Sequence, residues 1–127
     1  MQISISSSKR KELIDITSSV QNLIDIEEGI CIVYCPHTTA AITINENADP
    51  DVKTDILSHL NSLIPENSNF KHSEGNSDAH IKSSIIGASE TIIIKNRKLQ
   101  LGTWQSIFFC EFDGPRQRKI TIKLLEG

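Results

Sequence analysis

The chain has 127 residues, is 38% hydrophobic, and carries 13 Lys and Arg against 16 Asp and Glu, a formal net charge of −3. That length predicts one domain with a core that needs no disulfides, and the mild negative charge predicts no broad basic face for neutralising nucleic-acid phosphates. No apolar run is long enough to span a bilayer, and the N-terminus, Met-Gln-Ile-Ser-Ile, lacks a signal-peptide stretch. The expectation is a cytoplasmic protein with no membrane partner, in which Cys31, Cys35 and Cys110 are reduced thiols.

Alternation in Gln2-Ile3-Ser4-Ile5-Ser6 and in Leu13-Ile14-Asp15-Ile16 predicts two strands, each with one buried face. A helix is expected next: Ser18 and Gln21 form a capping box, Val20, Leu23 and Ile24 an apolar stripe, and Gly29 lies beyond its end. Residues 30–35 and 41–46 read as strands, broken at Pro36-His37-Thr38-Thr39. Asp49 is a good N-cap with Pro50 at the first helical position, and Val52, Ile56, Leu60, Leu63 and Ile64 recur at helical spacing until Pro65. After a polar loop at 66–76, a second short helix is expected from Ser77 to Gly87, with His80 in its first turn. Strands are predicted at 91–94, 99–101, 105–112 and 119–125, joined into antiparallel hairpins by turns at Asn96-Arg97 and Asp113-Gly114-Pro115. The fold class is α+β, a compact single domain over 1–127 of mainly antiparallel sheet with about three helices.

Three of the four histidines fall in two polar segments, Cys35-Pro-His-Thr-Thr39 with Asn45-Glu-Asn47 following, and His72-Ser-Glu-Gly-Asn-Ser-Asp-Ala-His80. Imidazole is a common metal ligand and a proton carrier near neutral pH, so His37, His72 and His80 are expected to share one site, with Glu74, Gly75 and Asn76 folding back between the last two. The spacing matches no stereotyped zinc signature, and the three serve equally well as acid, base and anion ligand. The helix start near Ser77, with Lys82, Ser83 and Ser84, suits a phosphate or carboxylate, although capping and solvation explain the same residues. Trp104, within Gly102-Thr103-Trp104-Gln105, offers a flat surface to an aromatic ligand or serves as a core or interface anchor, and strand alternation puts Gln105, Ile107, Phe109 and Glu111 on one face. His59 borders the helical stripe and reads as a packing residue. Cys31 and Cys35 read as core, and Asp49, Asp51 and Asp78 as ordinary carboxylates at helix starts.

The segments His37-Thr-Thr-Ala-Ala-Ile-Thr-Ile-Asn-Glu-Asn47 with Asp49-Pro50-Asp51, Ala79-His-Ile-Lys-Ser-Ser84 with Gly87, and Leu101-Gly-Thr-Trp-Gln105 with Glu111 resemble the YjbQ family, in the same order, from about residue 10 to the C-terminus. Members are described as secondary thiamine-phosphate synthases. The resemblance implies an α+β homotrimer with a histidine-containing polar pocket that sometimes holds a metal. It also implies a transferase that joins a pyrimidine methyl diphosphate to a thiazole phosphate with loss of pyrophosphate. On this reading His37, His80, Glu46 and Glu111 are the catalytic candidates. Asn45, Asn76, Lys82, Ser83, Ser84, Thr103, Trp104 and Gln105 would contact a small phosphorylated substrate, and His37, His72 and His80 would hold a divalent ion, zinc or magnesium. The chain has no glycine-rich phosphate loop. Two rivals use the same residues: a metal-dependent hydrolase with Glu46 or Glu74 as base, and a non-enzymatic small-molecule binding protein.

Overall fold

Two antiparallel sheets, packed face to face, carry most of the chain in a computed structural model that describes all 127 residues. In chain order the elements are β1 (Gln2–Ser6), β2 (Glu12–Asp15), α1 (Thr17–Gln21), β3 (Glu28–Tyr34), β4 (Ala40–Glu46), α2 (Pro50–Leu63), α3 (Ser77–Ile86), β5 (Ser89–Lys95), β6 (Lys98–Leu99), β7 (Gln105–Glu111) and β8 (Gln117–Glu126). One sheet has the order β1-β8-β3-β5-β6 and the other β2-β7-β4. The period of two does the sorting. Cys31 and Val33 on β3, Ile92 and Ile94 on β5, and Ile120 and Ile122 on β8 meet Ile42 of β4 and Ile107 and Phe109 of β7 in one core.

The outer face of the three-stranded sheet is covered by the two longer helices, where Ala41, Cys110 and Phe112 pack with Ala79, Leu57, Leu60 and Ile86. β7 is therefore buried on both faces, which explains its run of apolar residues without alternation. α2 begins as expected, with Pro50 at its first position and the Asp49 carboxylate accepting from the Asp51 N–H at 2.9 Å. Leu63 belongs to the expected apolar stripe but is 65% exposed, because the helix turns Leu57 and Leu60 to the sheet instead. α3 likewise ends at Gly87, whose φ of 107° suits glycine.

Two expectations are corrected. The first helix is a single short turn, and Ser18 lies inside it rather than capping it. The N-cap is Ile16, which has no polar side chain to offer, and Asp15 just before it accepts at Oδ1 from the Thr17 N–H at 2.9 Å and from the Thr17 hydroxyl at 2.6 Å. Asp113-Gly114-Pro115 does not close a hairpin either, because β7 and β8 lie in different sheets and the turn carries the chain from one to the other. Gly114 is required there: a Cβ would run into the Lys9 carbonyl and the side chains of Ser7 and Glu111. The Asn96-Arg97 turn does join β5 to β6, with φ of 53° and 62°.

Three short connections cross between the sheets at one end of the molecule: 7–11 from β1 to β2, 35–39 from β3 to β4, and 112–116 from β7 to β8. Crossing segments leave their backbone groups outside the ladders, so side chains must satisfy them. That requirement concentrates polar residues at this end.

Candidate functional site

A buried ion pair ties the three crossings together. Glu111, at the end of β7, is fully buried, and Arg118 of β8 is 4% exposed. Both carboxylate oxygens of Glu111 accept from Arg118, through Nε at 2.9 Å and through Nη2. Arg118 Nη2 also donates to Thr39 Oγ1 at 2.8 Å. The carboxylate further accepts from Ser7 Oγ at 2.7 Å and from the Asp113 N–H at 3.1 Å. Burial alone would push the Glu111 carboxyl up, but Arg118, Ser7 and the Asp113 N–H together hold it below the usual carboxylate range. Glu111 therefore positions its neighbours and has no free face for a ligand.

Above this pair lies a cleft of about 450 Å³, in which Pro36 is the only apolar side chain. Pro36, His37, Thr38 and Thr39 come from the 35–39 crossing, His72, Glu74 and Asn76 from the loop before α3, His80 from α3, and Asp113, Arg116 and Arg118 from the 112–116 crossing and β8. His37 is held by the backbone. Continuing the β3–β8 register would set Pro36 against Lys119, and proline has no N–H to offer; the His37 ring stands in that gap, with Nε2 at 3.1 Å from the Lys119 N–H and 2.9 Å from its carbonyl. Nδ1 is left for the cleft. The His72 and His80 rings meet edge to face, with centroids 5.4 Å apart. Arg116 is braced by Asp113, its Nη2 donating to Oδ2 at 2.9 Å and its Nε to the backbone carbonyl at 2.8 Å. Asn76 donates to the same Asp113 Oδ2 at 2.8 Å, while its own Oδ1 is buried without a partner.

A second hollow of about 510 Å³ adjoins the first, sharing His37, Thr38 and His80 as its wall and lined further by Ala40, Ser83, Ser84, Gly87 and Ala88. Ser83 Oγ lies 2.6 Å from the Thr38 carbonyl and 3.0 Å from the His80 carbonyl, and Ser84 Oγ donates to the His80 carbonyl at 2.8 Å.

The structure thus brings His37, His72, His80 and Asn76 to one place, with Ser83 and Ser84 next to it. It does not bring the other candidates. Lys82 is fully buried beneath α3, with Nζ donating to Asp78 Oδ2 at 2.7 Å and to Asn61 Oδ1 at 2.8 Å. Burial depresses its pKa against the pull of Asp78, and no part of it reaches a ligand. Asn45 and Glu46, at the far end of β4, pair in register with Ser106 and Gln105 of β7. With Thr103 and a 63% exposed Trp104 they form a separate surface that lines no cleft. Seven-residue strands separate that surface from the cleft by roughly 20 Å at about 3.4 Å per residue.

Arg116 and Arg118 went unread in the sequence, although a signal existed. Ile120 and Ile122 face the core, so the same parity turns Arg118 inward, and an arginine at an inward position demands a buried partner. The metal expectation meets a plain geometric fact: no group of three or more His, Cys, Asp or Glu side chains is arranged to hold an ion, and one nitrogen of His37 faces the Lys119 backbone. The cysteines follow the core reading: all three are unpaired and buried, with burial raising the Cys31 thiol to about 11.

The family model described as UPF0047 protein YjbQ-like matches residues 1–127. The chain belongs to this family. A YjbQ-family relative from Methanocaldococcus jannaschii is 59% identical over 124 residues, covering 95% of this chain and 90% of its own. YugU of Bacillus subtilis is 52% identical over 127 residues, covering 97% and 96%. Among solved structures, a YjbQ/UPF0047 protein from Clostridium acetobutylicum superposes with a TM-score of 0.96 at 52% identity, over 98% of this chain and 99% of that one. A YbjQ-like protein of unknown function from Sulfolobus solfataricus gives 0.95 at 34% identity, over 100% and 96%. These YjbQ relatives establish the fold, a two-sheet α+β domain with three helices, and leave the chemistry to the cleft. No helix of this YjbQ chain is long and apolar enough to cross a membrane.

Proposed function

We propose that the cleft is the active site of an enzyme that breaks a bond to phosphate in a small phosphorylated substrate. One observation carries the reading: two arginines and three histidines converge on a hollow whose only apolar side chain is Pro36. Arg116, fixed by Asp113, offers its remaining N–H groups to phosphate oxygens, and Arg118, its charge balanced by Glu111, lines the floor beneath. His37 through Nδ1, and His80 across the shared wall, stand where a proton must be taken up or delivered.

The most specific form of this reading is the thiamine-phosphate-synthase reaction. The C–O bond between the pyrimidine methylene and its diphosphate breaks, the thiazole nitrogen takes that carbon, and pyrophosphate leaves. The family resemblance supports it. The largely polar lining favours the second reading, hydrolysis of a single phosphate ester, because Pro36 alone offers an apolar face to two heteroaromatic rings in the first compartment. As the side chains stand they do not make a three-ligand metal site, and elemental analysis of purified protein tests the zinc or magnesium expectation. We also propose a cytoplasmic homotrimer. The unpaired thiols suit a reducing compartment, and Ile93 at 64% and Leu125 at 45% exposure leave an apolar stripe on the outer sheet face for another copy to cover.

The test supplies the pyrimidine diphosphate and the thiazole phosphate together and separately. Transfer yields thiamine phosphate and pyrophosphate only from the pair, whereas hydrolysis yields inorganic phosphate from one compound alone. His80→Ala should abolish either activity, and full turnover in that variant would place the chemistry elsewhere.

A further inference from the structure

We infer that the substrate is bipartite: an anionic head in the first compartment and an uncharged organic half, bearing hydroxyl or amino donors, in the second. The inference rests on the phosphate reading above and adds what that reading leaves open, the class of the organic half.

The two hollows share His37, Thr38 and His80 but differ in chemistry. All the cationic side chains other than imidazole lie on the first side, where Arg116 and Arg118 face the cleft, while the second is lined by no lysine or arginine. Glu74 and Asp113 line the first side too, and Arg116 and Arg118 are paired with Asp113 and Glu111, so what an anion finds on one side of the wall only is guanidinium N–H donors.

Beyond the shared wall of His37, Thr38 and His80, the side-chain hydrogen-bond inventory of the second side is equally one-sided. A serine hydroxyl has one proton and two lone pairs. Ser84 spends its proton on the His80 carbonyl, and Ser83 spends its own on the carbonyl of either Thr38 or His80. What both serines retain is acceptor capacity. A phosphate dianion has only acceptors, so these serines have nothing to give it; a ligand hydroxyl or amine satisfies them. Small residues, Ala40, Gly87 and Ala88, leave the room for that group. At Gly87 even an added Cβ would meet nothing within 4 Å. The bond between head and organic half then falls beside His37 and His80, where a leaving oxygen needs its proton.

The experiment is a calorimetric titration of the full chain with inorganic phosphate, methyl phosphate and glycerol 3-phosphate. Two new hydrogen bonds of ordinary strength should make glycerol 3-phosphate bind about tenfold or more tightly than methyl phosphate. The Ser83→Ala/Ser84→Ala double variant should cut that advantage below about threefold while still binding methyl phosphate, which also shows that it is folded. Arg116→Ala should weaken all three ligands together. If glycerol 3-phosphate binds no better than methyl phosphate, or keeps its advantage in the double variant, the bipartite inference is overturned and the phosphate reading stands. If none of the three binds the wild type, both are overturned.

Discussion

β4 and β7 run side by side from one functional-looking surface to another, and the two ends differ in what lies beneath them. At the Ala40–Glu111 end the polar side chains sit over a buried ion pair and are braced by one another: Asp113 holds Arg116 and Asn76, and the Lys119 backbone holds His37. At the Glu46–Gln105 end, Trp104 and Gln105 are exposed and no hollow forms, although Asn47 donates to Asp15 Oδ2 at 2.8 Å. Both ends carry a crossing connection, 100–104 from β6 to β7 at the tryptophan end, but residues of the same chemical kinds make a site only where a charged pair is buried beneath them. Polarity at the surface is common; polarity fixed from below is the part that preorganises chemistry.

The largest effect that separates the two ends should come from their glutamates. Glu111→Ala leaves Arg118 buried and unpaired and should cost about 3–5 kcal/mol in urea unfolding. Glu46→Ala, at the other end, should stay within about 0.5 kcal/mol of wild type. Comparable losses for the two would remove the distinction.

Lys82 comes next. If it is a buried strut rather than a phosphate ligand, Lys82→Met removes the shortest bond to the Asp78 carboxylate, leaves it with Lys11 and Arg10, and costs about 1–3 kcal/mol, with phosphate affinity changed only as far as α3 is disturbed. A stable variant with selectively weakened phosphate binding would return Lys82 to the site.

Acid should act on the cleft end first. Glu111 and Asp78 both have carboxyls held below their ordinary values: burial pushes each up, but Arg118, Ser7 and the Asp113 N–H outweigh it for the first, and Lys82, Lys11 and Arg10 for the second. A depressed carboxylate contributes its stability above the unfolded-state value and loses it as pH falls through the folded one. Unfolding free energy should therefore hold steady from neutral pH to about 4.5, the ordinary value for Glu111, and decline below it. Glu46→Ala should keep that decline. Glu111→Gln should flatten part of it, and an unchanged profile there would remove Glu111 as a cause.

The smallest effect is expected at Trp104, whose exposure makes Trp104→Ala worth at most about 0.5 kcal/mol to the isolated fold, with no change in phosphate affinity.

Much of this was legible residue by residue. Asp49-Pro50 announced α2, Gly87 stopped α3, and three histidines gathered in the polar segments 35–39 and 72–80 marked the stretches that meet in the cleft. The misreadings share a cause. Asp113-Gly114-Pro115 has the same local chemistry whether the chain returns within a sheet or leaves it, so a hairpin and a crossing look alike. Lys82 and Glu111 looked like ligands because a charged residue is ordinarily exposed, and their burial depends on Asp78 one helical turn away and on Arg118 in another sheet. Trp104 drew attention as the only tryptophan, yet rarity says nothing about enclosure.

The most direct test asks where a phosphate-bearing ligand settles. Isotope-labelled protein titrated with pyrophosphate should show backbone and imidazole chemical-shift changes confined to 36–39, 72–80 and 113–118, saturating together. Changes centred instead on 45–47 and 103–105, with the cleft residues still, would contradict the account and assign the site to the tryptophan end.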